Sequence, residues 1–200
     1  MAEPALALIE FSSIAIGILA GDAMAKRAPI TTLRAGTVQP GKYLVLIAGE
    51  VADVEESLAA GLEVGSDALV DKVLLPQVHP SVVESIGGGR EPLIEEALGV
   101  IETMSVASTI RAADAGVKGA NVTLVEIRLA DGLGGKAFCL FAGEVAEVEA
   151  AVEIGTGRLE DPSLLVRSVV IPSLHQEMAT NILDNTRFGP RAAGERWKPA

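Results

Sequence analysis

The chain has 200 residues, a formal net charge of −11 and an aromatic content of only 3%. The negative charge disfavours nucleic acids and anionic membranes as partners, and the scarcity of aromatic side chains argues against base stacking. The most apolar stretch, residues 14–21, is far shorter than the roughly 20 residues that span a bilayer. A single cysteine and an N-terminus without basic residues indicate a reducing cytoplasm and no signal peptide.

Two parts of the chain repeat the same pattern. Residues 6–10 (LALIE) match residues 98–102 (LGVIE), and residues 48–52 (AGEVA) recur at 142–146. The offset between the copies grows from 92 to 96 along the chain, which indicates two short insertions near residues 131 and 160. We therefore predict two copies of one domain, joined by a Gly- and Pro-containing linker and followed by a tail. The boundaries are 1–86 for the first domain, 87–96 for the linker, 97–184 for the second domain and 185–200 for the tail.

Each copy alternates strand-like and helix-like segments. In the first copy a strand at 6–11 precedes a helix that Ser12 or Ser13 can cap and that Pro29 ends. The remaining predicted elements of that copy are strands at 30–35 and 43–48, a helix from Val51 to Leu62, and a strand at 70–75. Their counterparts in the second copy are strands at 122–129, 137–142 and 166–171, and helices that begin near Val106 and Val145. The order β-α-β-β-α-β predicts an α/β (α+β) fold made of two tandem ferredoxin-like domains.

The loop between the second and third predicted strands contains part of a phosphate-binding pattern. Residues 36–42 fit G-x-x-x-x-G-K, but Tyr43 stands where a magnesium site needs Ser or Thr, and a strand follows instead of a helix. We interpret the segment as a tight loop between strands, with residues 131–136 as its counterpart. Both loops end in Gly-Lys and lack bulky side chains, so their backbone can approach a ligand or a symmetry axis closely.

Few side chains could carry chemistry, and none forms a recognised catalytic or metal-binding pattern. His79 and His175 are the only histidines and lie at equivalent positions after a strand, without a second ligand at metal spacing. Lys26 and Lys118 could be catalytic, but a repeated lysine at a helix end is more typical of a solvated or interface position. Cys139 lies between phenylalanines in a strand pattern, which indicates a buried, unreactive thiol. We expect no enzyme activity, no metal site and no cofactor.

Three repeated segments carry a likeness to a known family. Residues 22–28 and 114–122 resemble the D-x-x-x-K-x-A segment of bacterial microcompartment shell proteins. The stretches at 41–51 and 135–145 resemble the pore loop and following strand of that family, and Pro76 and Pro172 begin Pro-x-x-His endings similar to those of its members. The likeness covers roughly residues 5–82 and 97–178, and the order of the copies resembles the tandem-domain, non-permuted subtype.

The resemblance implies a homotrimer that mimics a hexagonal tile and has a central pore for small metabolites. Such tiles pack side by side with other shell proteins into a sheet that encloses enzymes, so the expected location is a microcompartment shell in the cytoplasm. The positions that the resemblance places at the tile edge are Lys26, Lys118, His79 and His175. The positions that it places along the pore are Thr37, Val38, Gln39, Pro40, Gly41, Asp131, Gly132, Leu133, Gly134 and Gly135.

The first loop departs from the pattern of the tandem shell proteins of propanediol-utilisation compartments. Those proteins carry a cysteine just before Pro-Gly-Lys, and three such cysteines hold an iron–sulfur cluster, whereas Gln39 stands at that position here. An amide side chain does not supply the thiolate that such clusters need, so we expect an open pore without a cluster. Threefold symmetry would bring three copies of Gln39 and of Asp131 together, which favours small neutral or cationic solutes over anions.

Three further possibilities stay open at this level. The tail carries four basic residues against Glu195, so it could dock on encapsulated enzymes or on the acidic body, or remain a mobile terminus. A pore-located iron–sulfur or metal-carrying redox protein is one alternative function. A trimeric ligand-binding regulatory protein, with the Gly-rich loops as a phosphate cradle, is another.

Overall fold

The computed structural model describes residues 5–92, 97–184 and 186–187, and each copy of the repeat forms one domain. The first domain comprises β1 (Ala5–Phe11), α1 (Ile14–Arg27), β2 (Thr32–Val38), β3 (Lys42–Gly49), α2 (Val51–Gly65), β4 (Leu69–Leu75) and α3 (Pro80–Ile86). The second comprises β5 (Ala97–Thr103), α4 (Val106–Gly119), β6 (Thr123–Arg128), β7 (Ala137–Gly143), α5 (Val145–Gly157), β8 (Leu165–Ile171) and α6 (Gln176–Asp184).

Each domain contains one four-stranded antiparallel sheet. The strand orders are β2-β3-β1-β4 and β6-β7-β5-β8, and every neighbouring pair is antiparallel. This topology is that of the split βαβ arrangement, so the predicted tandem α+β fold is confirmed. In each sheet the edge strand, β2 or β6, pairs with the strand that follows it in the chain, β3 or β7. Because the two sheets have the same topology, the β2–β3 loop and the β6–β7 loop lie at equivalent ends of their sheets.

A serine caps the first helix of each domain, and of the two candidates predicted for the first domain it is Ser13 that forms the cap. The amide of Ile16 donates to Ser13 Oγ at 3.4 Å, and the amide of Ser108 donates to Ser105 Oγ at 3.2 Å. Each bond satisfies one of the backbone amides that a helix leaves unpaired at its start. The two helices consequently begin at equivalent points and run for 14 residues each.

Two helices were not predicted from the sequence, and one strand is displaced. Helix α3 begins with Pro80 in its first turn, a position that suits proline because the missing amide would be unpaired there. Helix α6 follows the second strand-end Pro-x-x-His in the same way. Strand β2 begins two residues later than predicted because Thr31 forms the turn contact to Ala48 before the ladder starts. Residues 93–96 of the predicted linker, and the predicted tail except 186–187, lie outside the described residues.

Strand β1 is buried along its whole length because both faces of its sheet are covered. Ala7, Ile9 and Phe11 pack with the helices of their own domain. Leu6 and Leu8 point to the other face, where they join a core that includes Val106 and other residues of α4. The second domain therefore supplies the cover for one face of the first domain's sheet.

The end of α2 gives a test of packing inside the first domain. A Cβ added at Gly65 would lie 2.3 Å from Cε1 of the fully buried Phe11, so we expect Gly65→Ala to lower the free energy of unfolding by about 1–3 kcal/mol. Gly157 ends the equivalent helix α5 and has nothing within 4 Å of the added Cβ, so Gly157→Ala is the matched control. Urea unfolding followed by circular dichroism measures both variants. Equal effects would contradict the packing argument.

Candidate functional site

The loops that join the edge strands to the sheet centres lie against each other. A Cβ built on Gly135 would be 2.8 Å from Pro40 Cδ and 3.1 Å from the Gln39 carbonyl oxygen. Gly135 has a φ of +86°, a conformation that glycine adopts without strain. The structure thus brings predicted pore residues of both domains into contact at one point. Most of the other predicted positions in the two loops, including Gln39 and Asp131, are exposed.

Lys42 connects these loops with the start of helix α4. Its Nζ donates to the carbonyl oxygens of Gly135 at 3.2 Å and Met104 at 3.0 Å, and it contacts Glu10 Oε2 at 3.3 Å. This role was missed in the sequence, where Lys42 was noted only as the end of a phosphate-loop-like pattern. The available signal was the pairing of a repeated Gly-Lys with a repeated glutamate, Glu10 and Glu102.

Glu10 is a completely buried carboxylate at the junction of the domains. Its Oε1 accepts a hydrogen bond of 2.7 Å from the amide of Ala107, in the first turn of α4. Burial raises the pKa of Glu10, although the Ala107 amide and the Lys42 ammonium act in the opposite direction. The positive end of the helix dipole also favours a carboxylate at this position. Glu10 therefore fixes the start of α4 on the first domain's sheet.

A second carboxylate holds the same helix end. Asp71 Oδ2 accepts hydrogen bonds from the hydroxyl groups of Ser105 and Ser108, the latter at 2.7 Å. Asp71 lies on β4, next to Glu10 on β1 in the sheet. Two adjacent strands of the first domain thus supply acceptors to the beginning of α4.

The other end of α4 also contacts the first domain. Asp114 Oδ1 accepts a 2.8 Å hydrogen bond from the amide of His79, and Asp114 Oδ2 pairs with Lys118 Nζ at 2.6 Å. Lys118 Nζ additionally donates to the carbonyl oxygen of Gln77. Two predicted edge positions, Lys118 and His79, therefore lie together at the junction of the domains. Among the described residues, Lys26 forms only the equivalent pair with Asp22, also at 2.6 Å, and its side chain is 74% exposed.

Both histidines act as helix caps. His79 Nδ1 accepts from the amide of Ser81 at 3.3 Å, and His175 Nδ1 accepts from the amide of Glu177 at the same distance. Cys139 is completely buried in β7, and burial raises the pKa of its thiol to about 12, as expected for an unreactive cysteine. Within 5–92, 97–184 and 186–187, no three His, Cys, Asp or Glu side chains are grouped closely enough to hold a metal ion.

Helices α1 and α4 occupy equivalent positions in the two copies of the repeat, but their apolar faces differ in burial. On α4, Val106 and Ile110 are completely buried against the first domain's sheet. Their equivalents on α1, Ile14 and Ile18, are 41% and 54% exposed. The apolar face of α1 is therefore open in the single chain.

The last strand and helix of each domain also differ in burial, in the opposite sense: here the first domain's elements are covered and the second domain's are exposed. Val73 on β4 and Val82 on α3 are completely buried where α4 and β6 cover the first domain. Their equivalents in the second domain, Val169 on β8 and Met178 on α6, are 42% and 53% exposed. Near this open face, Lys136 pairs with Glu102 at 2.5 Å, as Lys42 pairs with Glu10. Within one chain, α4 of the second domain covers β4 and α3 of the first domain. The two surfaces that would form the same kind of contact again, α1 of the first domain and the face of β8 and α6 in the second, are both exposed.

Comparison with known proteins identifies this architecture. The BMC domain matches residues 5–78 and again 97–174. The chain belongs to the BMC-domain family. It is 41% identical to the bacterial microcompartment shell protein PduT of Citrobacter freundii, covering 87% of this chain and 95% of PduT. Over 83 residues it is 37% identical to the shell protein EutM of Escherichia coli, with 42% of this chain and 84% of EutM covered.

A solved structure supports the same assignment. A microcompartments protein from Desulfitobacterium hafniense has a TM-score of 0.77 and 44% identity, covering 90% of this chain and 99% of that one. The chain is thus a bacterial microcompartment shell protein with tandem BMC domains, located in such a shell, as predicted. None of the helices in the described part of the chain has the length and apolar character to cross a bilayer.

The contact between the loops can be tested with two neighbouring glycines. Gly135→Ala adds a Cβ at positive φ and within 2.8 Å of Pro40, whereas Gly134→Ala adds one at a φ of +64° with nothing within 4 Å. We expect both to lose about 1 kcal/mol of stability from the left-handed backbone, and Gly135→Ala to lose about 1–3 kcal/mol more from the clash. Urea unfolding measures the difference. Equal losses would mean that the loops are not in contact.

Proposed function

We propose that the chain is a non-catalytic structural subunit that assembles as a homotrimer, forming a pseudohexameric tile with a central pore. The observation that carries this proposal is the pairing of one closed domain contact with two open, equivalent faces. The α4 face is covered by β4 and α3 of the same chain, while the matching face of α1 and the matching face of β8 and α6 are exposed. Such a head-to-tail contact generates a ring when its rotation closes.

Three chains would supply six domains in alternating order. In this arrangement α1 of one chain would occupy, on the second domain of the next, the place that α4 occupies on the first domain. Glu102 would then accept from the amide of Ala15 as Glu10 accepts from Ala107. Arg167 stands at the position of Asp71, so the contact between chains would lack that acceptor for the helix cap. The proposed junctions are therefore alike in their apolar part and different in their polar part.

In this ring the β2–β3 and β6–β7 loops would face the threefold axis, and Lys26 and Lys118 would lie at the outer edge of the tile. Helix α4 begins beside the loops, where Met104 contacts Lys42, and ends at Gly119 after 14 residues. That length corresponds to about 20 Å, so Lys118, and Lys26 by equivalence, lie far from the loops. The distance supports a place at the tile edge, in contact with neighbouring shell proteins. His79 caps α3 in the region of Lys118, since its amide donates to Asp114, and His175 would take the equivalent place next to Lys26 of the neighbouring chain.

The donor set of the loops supports an open pore without a metal-bearing group. Gln39 and Asp131 are exposed in the loops, but neither provides the thiolate that iron–sulfur clusters use. Cys139 lies inside β7 and is fully buried, so it does not present its sulfur at the loops. Three copies each of an amide and a carboxylate would admit small neutral or cationic metabolites and disfavour anions.

The trimer is tested by charging the open face of α1. Ile18→Asp places a carboxylate on that face, and we expect it to convert the trimer, three times 20.6 kDa, into a folded monomer. Val51→Asp is the control because Val51 and its equivalent Val145 are both accessible, so no junction covers them. Analytical ultracentrifugation gives the mass, and electron microscopy of hexagonal sheets reports tile packing. A wild-type monomer, or a variant that stays trimeric, would contradict the proposed ring.

The charge preference of the pore is tested at Asp131. Asp131→Asn removes three carboxylates per trimer while preserving side-chain size, so we expect the cation-to-anion permeability ratio to fall several-fold. Asp67→Asn, at an exposed position before β4, changes the net charge equally and serves as control. Reversal potentials of the protein reconstituted in planar bilayers measure the ratio. An unchanged ratio in Asp131→Asn would refute cation selectivity at this loop.

A further inference from the structure

An open apolar groove lies on the first domain between helix α3 and strand β2. Side chains of the sheet form its floor, α3 forms one wall, and Arg34 of β2 stands at its rim. Its volume of about 120 Å³ is below the range in which proteins hold free small molecules, so the groove suits a single side chain. The apolar residues that line it are Leu6, Leu46, Ala48, Val78, Val83 and Ile86.

The corresponding surface of the second domain is covered. Leu98, Leu140 and Ala142 are at most 4% exposed there and pack with residues of α6. Arg90 of the linker lies over the same edge of the sheet, where it donates to carbonyl oxygens at the end of α6 and to a carboxylate of β6. In the first domain, by contrast, Val83 on the groove side of α3 is 40% exposed. The first domain therefore lacks a cover that the second domain has.

The chain leaves the second domain beside this groove. The carbonyl oxygen of Leu183, near the end of α6, accepts a hydrogen bond of 3.1 Å from Arg90 Nη1. Arg187 then lines a cavity together with Arg128 and with Ile86 of α3. Because Ile86 also lines the groove, one side chain of α3 separates Arg187, the last described residue, from it. All of these residues belong to one chain, so their proximity does not depend on the proposed ring.

The segment that follows Arg187 has a composition that suits such a groove. Residues 188–200, which lie outside the described residues, read FGPRAAGERWKPA. Aromatic residues make up only 3% of the chain, yet this segment contains both Phe188 and Trp197. Its basic residues outnumber Glu195, its only acidic residue, which favours contact with the acidic body of the protein. The stretch from Arg187 to Trp197 can span roughly 35 Å when extended, so Trp197 can reach the groove.

We propose that residues 188–200 dock in this groove of their own chain, with the indole of Trp197 inserted between α3 and β2. The indole buries apolar surface against Val83 and Ile86, and the guanidinium of Arg34 at the rim packs on its face. Trp197 is the anchor because its side chain offers more apolar surface than that of Phe188. Docking covers an apolar surface that the first domain otherwise exposes, and it occurs once per chain because α6 and Arg90 close the equivalent groove.

Fluorescence of the intact chain tests this docking, because Trp197 is the only tryptophan. We expect the wild-type emission to be blue-shifted, and its quenching by acrylamide to be several-fold weaker, relative to free N-acetyltryptophanamide, since the groove shields the indole from water. Val83→Asp places a carboxylate in the groove and should restore the emission and quenching of the free amide. Val51→Asp makes the same change at a valine that is 38% exposed on α2, which packs on the other face of the sheet, and should behave as the wild type does.

Three results would overturn the proposal. Wild-type emission equal to that of the free amide would place Trp197 in solvent, and a blue shift that persists in Val83→Asp would place it in another site. Loss of the blue shift in Ile18→Asp, the variant expected to be monomeric, would assign the groove to the tail of a neighbouring chain. If Val83→Asp fails to fold by circular dichroism, Val83→Ser decides by the same criteria. A wild-type monomer that shows the blue shift would refute the ring and leave this docking in place.

Discussion

The packing of helix α4 on the sheet of the first domain sets the geometry on which the rest of the structure depends. Val106 and Ile110 lose all solvent contact there, and burial of such side chains contributes about 1.5–3 kcal/mol each. Apolar packing alone would leave the helix free to slide, because it has little direction. The buried carboxylate of Glu10 on the Ala107 amide removes that freedom, since a displaced helix would leave a charged group without its partner. Together with the contacts of Asp71 and Asp114 at the two ends of α4, this hydrogen bond orients the second domain and places the two loops side by side.

Duplication within one chain lets the two copies diverge where a repeat of identical subunits could not. Asp71 accepts from the helix cap, whereas Arg167 stands at its equivalent position. Arg128 lines a cavity at a position where the first copy has Gly36. A ring of six identical domains would carry either choice six times, including at junctions where it does not fit. With two domains per chain, apolar contacts can stay alike while charged positions take separate tasks.

The sequence allowed the prediction of those features that local patterns encode. The repeat, the serine cap of the first helix and the alternation of strands and helices follow from short-range rules, so Ser12 or Ser13 was predicted as the cap of α1. The contacts of Lys42 could not be predicted in this way, because its partners Met104 and Gly135 lie in the other domain. Helix α3 was missed because His79 was interpreted only as a residue after a strand, although the Pro80 that follows it suits a first helical turn. The contacts between the two domains could not be predicted, because they depend on the relative position of segments far apart in the chain, which local sequence patterns do not encode.

Lys42 and its equivalent Lys136 connect the shape of the loops to the state of the domain junctions. Within the chain, Lys42 reaches the carbonyl oxygen of Gly135 only because α4 is seated on the first domain. Lys136 has its glutamate, Glu102, but the face that would bring an equivalent loop carbonyl to it is open. In the proposed ring that carbonyl would be Gly41 of the next chain. The loops around the axis would then be held by the same contacts that close the ring, so a defined opening would form only in the assembled tile.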